Sequence, residues 1–194
     1  MNMTHPYLPG TVLPLPEGET DNAFALLEPV FAVSGGGLLL SQLTEMTGLS
    51  PTTIQNWVKR GWVSKPVNKK YSEVQVARIL LINLLRPAMQ LERIAALLAC
   101  VNGSVEDRAD DIIPEPALYN LVCAGLFALR RQKRVDHESV ITLIDAQLEG
   151  YEGPVPGAKE RLANALAVML LNIAAAALMQ QADALFDHMQ HGPA

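Results

Sequence analysis

Apolar residues recur every three or four positions through most of this chain, a spacing that predicts helices. In "SQLTEMT", Leu43 and Met46 share a face, Ser41 is placed to cap the start, and Gly48 to supply the left-handed residue at the end. A second short helix follows one turn later, with Ser50 as N-cap, Pro51 at the first helical position and Gly61 closing it. Ile54, Trp57 and Val58 form its apolar stripe. Its opposite face is Thr52, Thr53, Gln55, Asn56, Lys59 and Arg60. Two such helices joined through a glycine turn predict a helix-turn-helix. The next stretch, "WVSKPVNKKY", has apolar ends around a Pro- and Asn-containing middle and reads as a small β-hairpin, a wing carrying Lys65, Lys69 and Lys70. Ser72 and Gln75 form a capping box that launches a helix through about Leu85. Leu91, Ile94, Leu97, Leu98 and Val101 give one more helix, stopped by Asn102 and Gly103.

The remainder continues in the same period. Glu115 to Arg131 carries Leu118, Leu121, Val122, Leu126 and Leu129 on one stripe, completed by Gly125. "DHESVITLIDAQL" makes a helix ending at Gly150, and "PGAKERL" begins a last one of roughly 30 residues, about 45 Å long. Upstream, residues 1–19 are Pro-rich and aperiodic, an arm that orders only by packing on the body. A short helix is expected from Thr20 or Asp21, broken at Pro29, with Gly35, Gly36 and Gly37 as a flexible joint. The expected architecture is mainly α. An N-terminal arm spans 1–37, a winged helix-turn-helix 38–102 and a linker 103–113, followed by an all-helical domain over 114–190.

Composition narrows the function. With 194 residues, 49% of them hydrophobic, the chain can bury a sizeable core. Its Pro-rich, acidic start does not read as a secretory signal, so a cytoplasmic location is expected. "LANALAVMLLNIAAAALM", Leu162 to Met179, reaches the lower length of a membrane span. It is interrupted by Asn164 and Asn172 and rich in alanine, so it is read as a helix buried on all sides within protein, with no membrane partner. Cys100 and Cys123 lie on predicted apolar faces and are read as reduced core thiols. The cations of "RRQKR", Arg130 to Arg134, sit where a helix dipole favours them. His188, His191 and Asp187 have metal-compatible spacing but lack a third strong ligand, so no metal site is assigned. No catalytic constellation, phosphate loop or cofactor motif is present, and an enzyme is not expected.

Charge changes the picture more. The chain has a formal net charge of −5, yet Leu38 to Arg93 holds eight Lys and Arg against three acids. A basic segment in an acidic protein suggests local attraction to a polyanion.

From Leu38 to Val101 the order of parts resembles the winged helix-turn-helix domain of the MerR superfamily. Thr53, Ile54, Gly61, Tyr71, Ser72, Leu91, Glu92 and Ile94 stand where its pattern expects them. Asn56, Trp57, Val58, Lys59, Gly61, Lys65, Pro66, Lys69, Lys70, Tyr71 and Ser72 resemble more closely a group of uncharacterised bacterial MerR-like proteins known as a domain of unknown function. Gln55 stands where the superfamily's recognition-helix arginine contacts DNA, Trp57 replaces a phosphate-binding tyrosine, and Lys69 replaces the wing arginine. The cysteines of its metal sensors have no counterpart.

The resemblance implies a sequence-specific DNA-binding transcriptional regulator. Gln55 and Asn56 offer the donor and acceptor pair that matches an adenine edge. Thr52, Thr53, Lys59, Arg60, Lys65, Lys69 and Lys70 are candidates for DNA contact, the cations for phosphate, with the Tyr71 hydroxyl beside them. The partner is double-stranded DNA, met by a homodimer formed through the C-terminal helices, with a small-molecule effector as a further possibility. One alternative is a protein-interaction adaptor or antirepressor that keeps the fold without binding DNA. A small-molecule-binding protein or an enzyme using a C-terminal pocket ranks third.

Overall fold

A computed structural model describes residues 7–16, 22–105, 109, 111–132 and 135–191, without the side chain of His191. Thr20, Asp21, Lys133 and Arg134 lie outside the described residues. The protein is mainly helical. A 3-10 turn (Ala23–Leu27) runs into α1 (Glu28–Val33), followed by β1 (Leu38–Leu39), α2 (Leu40–Thr47), α3 (Pro51–Lys59), β2 (Lys70–Tyr71), α4 (Glu73–Leu85), α5 (Leu91–Asn102), α6 (Glu115–Arg131), α7 (His137–Gln147) and α8 (Ala158–His191).

The expected capping chemistry accounts for most helix limits. Ser50 accepts from the Thr53 amide with Pro51 in the first turn of α3, and Ser72 and Gln75 form a reciprocal capping box on α4. Gly48 ends α2 at φ 69°. Gly61, at φ 73°, closes α3 while the Trp62 amide reaches back to the Trp57 carbonyl at 2.9 Å, so both orphan carbonyls and the apolar C-terminal contact are satisfied together.

Three local expectations are corrected. Ser41 does not cap α2; the helix begins at Leu40 with Leu39 as its N-cap, two residues earlier, and the Gln42 side chain accepts the Leu39 amide at 2.8 Å. Pro29 does not break a helix. It occupies the first turn of α1, where its missing N–H goes unused. The glycine stretch is not a loose joint: Gly35 and Gly36 turn the chain at positive φ, and the amide of Gly36 bonds the Phe31 carbonyl at 2.9 Å. A Cβ on Gly37 would lie 3.1 Å from the Lys70 Cβ, so the chain is held closely against β2.

The sheet also differs from the expected self-contained hairpin. β2 pairs antiparallel with β1, Leu38 opposite Tyr71 and Leu39 opposite Lys70, and within the loop itself Val67 bridges Lys70. The strand partner therefore comes from before α2. The loop after α3 is thus stitched to the segment that enters α2.

α4 is the central helix. Nine of its residues from Gln75 to Leu85 are buried, and it packs against α2, α5, α6, α8 and β2. One apolar core runs from Leu8 through Trp57 and Leu80 to Leu126 and Leu170, so the segments on either side of residues 103–113 share it. Inside lies an ion pair between Arg78 and Glu115 at 3.2 Å, both nearly inaccessible, with Arg78 Nε also donating to the Trp62 carbonyl at 2.7 Å. Burial pulls the Arg78 guanidinium below its usual range, and Glu115 partly restores it. Residues 7–16 dock on this body. Tyr119 donates its hydroxyl to the Pro9 carbonyl at 2.6 Å, Asn83 donates to the Gly10 carbonyl at 2.9 Å, and the Val12 amide bonds the Met46 carbonyl at 2.9 Å.

α8 departs from the helix expected to be buried on all sides. Leu162, Leu166, Met169 and Leu170 face the core, whereas Asn164, Val168, Ala175, Leu178 and Met179 are exposed. The close approach of α6 is made by Gly125, where a Cβ would lie 2.8 Å from Leu170 Cδ1. Of the two thiols, Cys123 is buried as expected, but Cys100 is on the solvent side of α5.

Candidate functional site

The amphipathic pattern of α3 dictates its orientation. Ile54 and Trp57 are buried against the core, which turns Thr52, Gln55, Asn56 and Lys59 to solvent. Thr53 is half-buried, its hydroxyl 2.8 Å from that of Ser50 at the helix start. These two hydroxyls serve the cap first.

The chain between Gly61 and Ser72 is positioned by α4. Gln75, having accepted the Ser72 amide, donates its side-chain nitrogen to the carbonyls of Ser64 and Lys65 at 2.8 and 3.0 Å. Lys65 is thereby fixed at the base of the loop with its side chain outward. At the tip, Asn68 and Lys69 both adopt positive φ, 50° and 62°, between the mutual backbone bonds of Val67 and Lys70 at 2.9 and 3.1 Å. That is a two-residue turn of the primed kind, whose twist suits antiparallel strands. Asparagine tolerates it. Lysine pays about 1–2 kcal/mol in the left-handed region.

The ten candidate residues divide into three groups. Thr52, Gln55, Asn56, Lys59, Lys65 and Lys69 are exposed, and among the described residues the three lysines form no salt bridge. Arg60, Thr53 and Lys70 are engaged with their own protein. Arg60 is exposed but pairs with Glu92 of α5 at 3.0 Å and lies over the Trp62 ring at 5.0 Å. Lys70 is half-buried and donates Nζ to the Ser34 carbonyl at 2.6 Å, binding β2 to the glycine turn. Tyr71 is only 3% exposed, and burial pushes its phenol upward; it braces the loop from the core while still lining one cleft with Gln55 and Lys69. Arg78, counted in the basic segment, is likewise internal.

The surface cations therefore reduce to a smaller set, but geometry gathers part of it. Gln55 and Val58 of α3, Pro66 and Lys69 of the loop, and Leu39 and Ser41 at the start of α2 line one shared cleft. Lys65 and Lys70 border a second, polar cleft on the other side of the hairpin, with Gly36, Ser64 and Ser72. No sequence pattern assigns Leu39 or Ser41 to this cleft. They reach the site through the β1–β2 pairing, a long-range contact made by strands too short to show alternation. A separate cavity of about 210 Å³ lies among the docked arm, α4, α6 and α8, lined mainly by apolar groups with Arg130 among them.

Comparison with known proteins places the similarity over this site. Residues 32–122 match the family model described as a domain of unknown function (DUF1836), in agreement with the expected likeness to such a bacterial group. The uncharacterized protein YkrK of Bacillus subtilis (strain 168) is 36% identical over 97 residues, which cover 48% of this chain and 42% of that protein. The chain thus spans less than half the length of that relative. No solved structure matches.

Proposed function

We propose that this chain is a sequence-specific DNA-binding transcriptional regulator, built as a winged helix-turn-helix. In this reading α3 enters the major groove, Gln55 and Asn56 address base edges, and Lys59, Lys65 and Lys69 hold the flanking phosphates. The observation that carries it is the cleft shared by Gln55 and Lys69, which puts a base-reading side chain and a phosphate-seeking one on a single concave surface. The exposed polar face of α3, opposite buried Ile54 and Trp57, supports it further. A homodimer supplies the second half-site that a module with so few phosphate contacts needs for affinity.

Selection from a random duplex library, followed by fluorescence anisotropy on the enriched site, tests this. Enrichment of a defined sequence, bound with a steep salt dependence, is expected. Gln55→Ala should lower discrimination between the enriched site and its single-base variants by about 1–3 kcal/mol.

A protein-binding adaptor is the second reading, favoured by one observation. The same cleft is walled by Leu39, Leu40, Val58 and Pro66, and Leu39 is exposed. An adaptor would show no enrichment, and binding to duplex DNA would be weak and indifferent to salt.

A further inference from the structure

Where α8 packs against α4 and α6 beside the docked arm, it presents Ala176 and Ala177. Side chains that short leave a space of about 210 Å³ between the three helices and residues 7–11. Leu84 of α4, Leu126 of α6 and Ile173 of α8 make its apolar wall, and Pro9, Gly10 and Thr11 close it from the arm. Polar groups enter at a few points, chiefly Asn83 and Arg130. Among the described residues that line it, Arg130 carries the one charge and there is no Asp or Glu.

We propose that this space is a binding site for a small monocarboxylate with a compact apolar body, an aryl-alkanoate or a short alkanoate, held beneath the arm. Size sets the body. An apolar cavity of about 150 Å³ takes benzene, so the larger one here has room for a ring and a short chain ending in the acid. Charge sets the head group. Arg130 is half-buried, with its guanidinium over the Phe127 ring at 5.2 Å, and five N–H donors in a planar fork let it meet a carboxylate while keeping other partners. A ligand cation would face a like charge there, and a phosphate ester would bring two negative charges to one positive in a largely apolar site.

The arm makes the site responsive. It is held by the Tyr119 hydroxyl on the Pro9 carbonyl at 2.6 Å and by the Val12 amide on the Met46 carbonyl at 2.9 Å. Asn83, which lines the space, donates both to the Gly10 carbonyl at 2.9 Å and to the carbonyl of Thr47, the last residue of α2, at 3.2 Å. An occupant in contact with Pro9, Gly10 and Thr11 adds to what holds the arm down, and one side chain carries that hold to the turn between α2 and α3. This site does not rest on the DNA reading, and either can fail alone.

NMR titration of the full chain with phenylacetate, 3-phenylpropanoate and hexanoate should show saturable binding of at least one, with a Kd on the order of 100 µM. The neutral amide of that acid should bind about tenfold more weakly. Arg130→Gln should abolish this preference and leave the affinity for the amide unchanged. Ala176→Phe, at a half-buried position where the ring fills the space, should abolish binding of acid and amide alike with an unaltered circular dichroism spectrum. The bound acid should also slow hydrogen exchange at the Leu8, Thr11 and Val12 amides, which are bonded within the docked arm and to α2. No saturable binding by any of the three acids, equal affinity for acid and amide, a preference that survives Arg130→Gln, binding that survives Ala176→Phe, or unchanged exchange in the arm would each overturn the proposal.

Discussion

Lys69 carries the clearest test at the level of single residues. It stands in left-handed backbone at the turn tip, where glycine would relieve about 1–2 kcal/mol of strain at a smaller entropic cost. Lys69→Gly should therefore leave thermal stability equal or higher while weakening DNA binding and flattening the salt slope by about 0.9. Its neighbour should behave in the opposite way. Lys70→Met removes the bond to the Ser34 carbonyl and should cost about 1 kcal/mol in chemical unfolding, with a smaller effect on DNA. The thiols separate as well: Cys100 should react rapidly with a thiol reagent at pH 8, and Cys123 only on unfolding. Burial pushes the Cys123 thiol from 9.0 up to about 12, so the folded protein keeps a proton that the unfolded chain gives up. That contribution is complete below pH 9 and is lost as pH rises toward 12. Melting temperatures across this range should fall more steeply for the parent than for Cys123→Ala. Sequence pattern marked the lysines as one basic cluster but did not separate these roles, because what distinguishes Lys69 from Lys70 is a reach of 36 residues to Ser34.

Helices and turns show where legibility begins and ends. The limits of α3 and α4 were readable because Ser50, Pro51, Gly61, Ser72 and Gln75 act on backbone within four residues of themselves. The β1–β2 pair was not, since two-residue strands offer no period to read. The orientation of α8 is illegible for another reason. An Ala- and Leu-rich helix has apolar groups on every side, so composition does not reveal which face meets the core. Docking of the arm was conditional on packing and proves to turn on Gly10, where a Cβ would sit 2.6 Å from the Leu80 carbonyl oxygen at a φ of 75°. Gly10→Ala should destabilise the protein by about 1–3 kcal/mol in equilibrium denaturation and make residues 7–16 susceptible to proteolysis. Unchanged stability and resistance would mean that the arm contributes nothing to the core.

At the scale of the whole molecule, a shared core ties α2, α3 and the small sheet to the C-terminal helices. The buried Arg78–Glu115 pair links α4 to α6, and Arg78 reaches the Trp62 carbonyl just past α3. Removing one partner, as in Glu115→Ala, leaves an unpaired buried charge and should cost about 3–5 kcal/mol. The same variant should also weaken DNA binding, because Arg78 holds the Trp62 carbonyl at the end of α3. The central claim is that the cations remaining on the exposed face of α3 and the loop after it meet a double helix. Its most direct test is the equilibrium affinity for duplex DNA between 50 and 200 mM salt, measured on the parent and on Lys65→Ala with Lys69→Ala. The account predicts a linear fall of log affinity with log salt, and a slope reduced by about 1.8 in the double variant. A flat dependence in the parent, or an identical slope in both proteins, would contradict it.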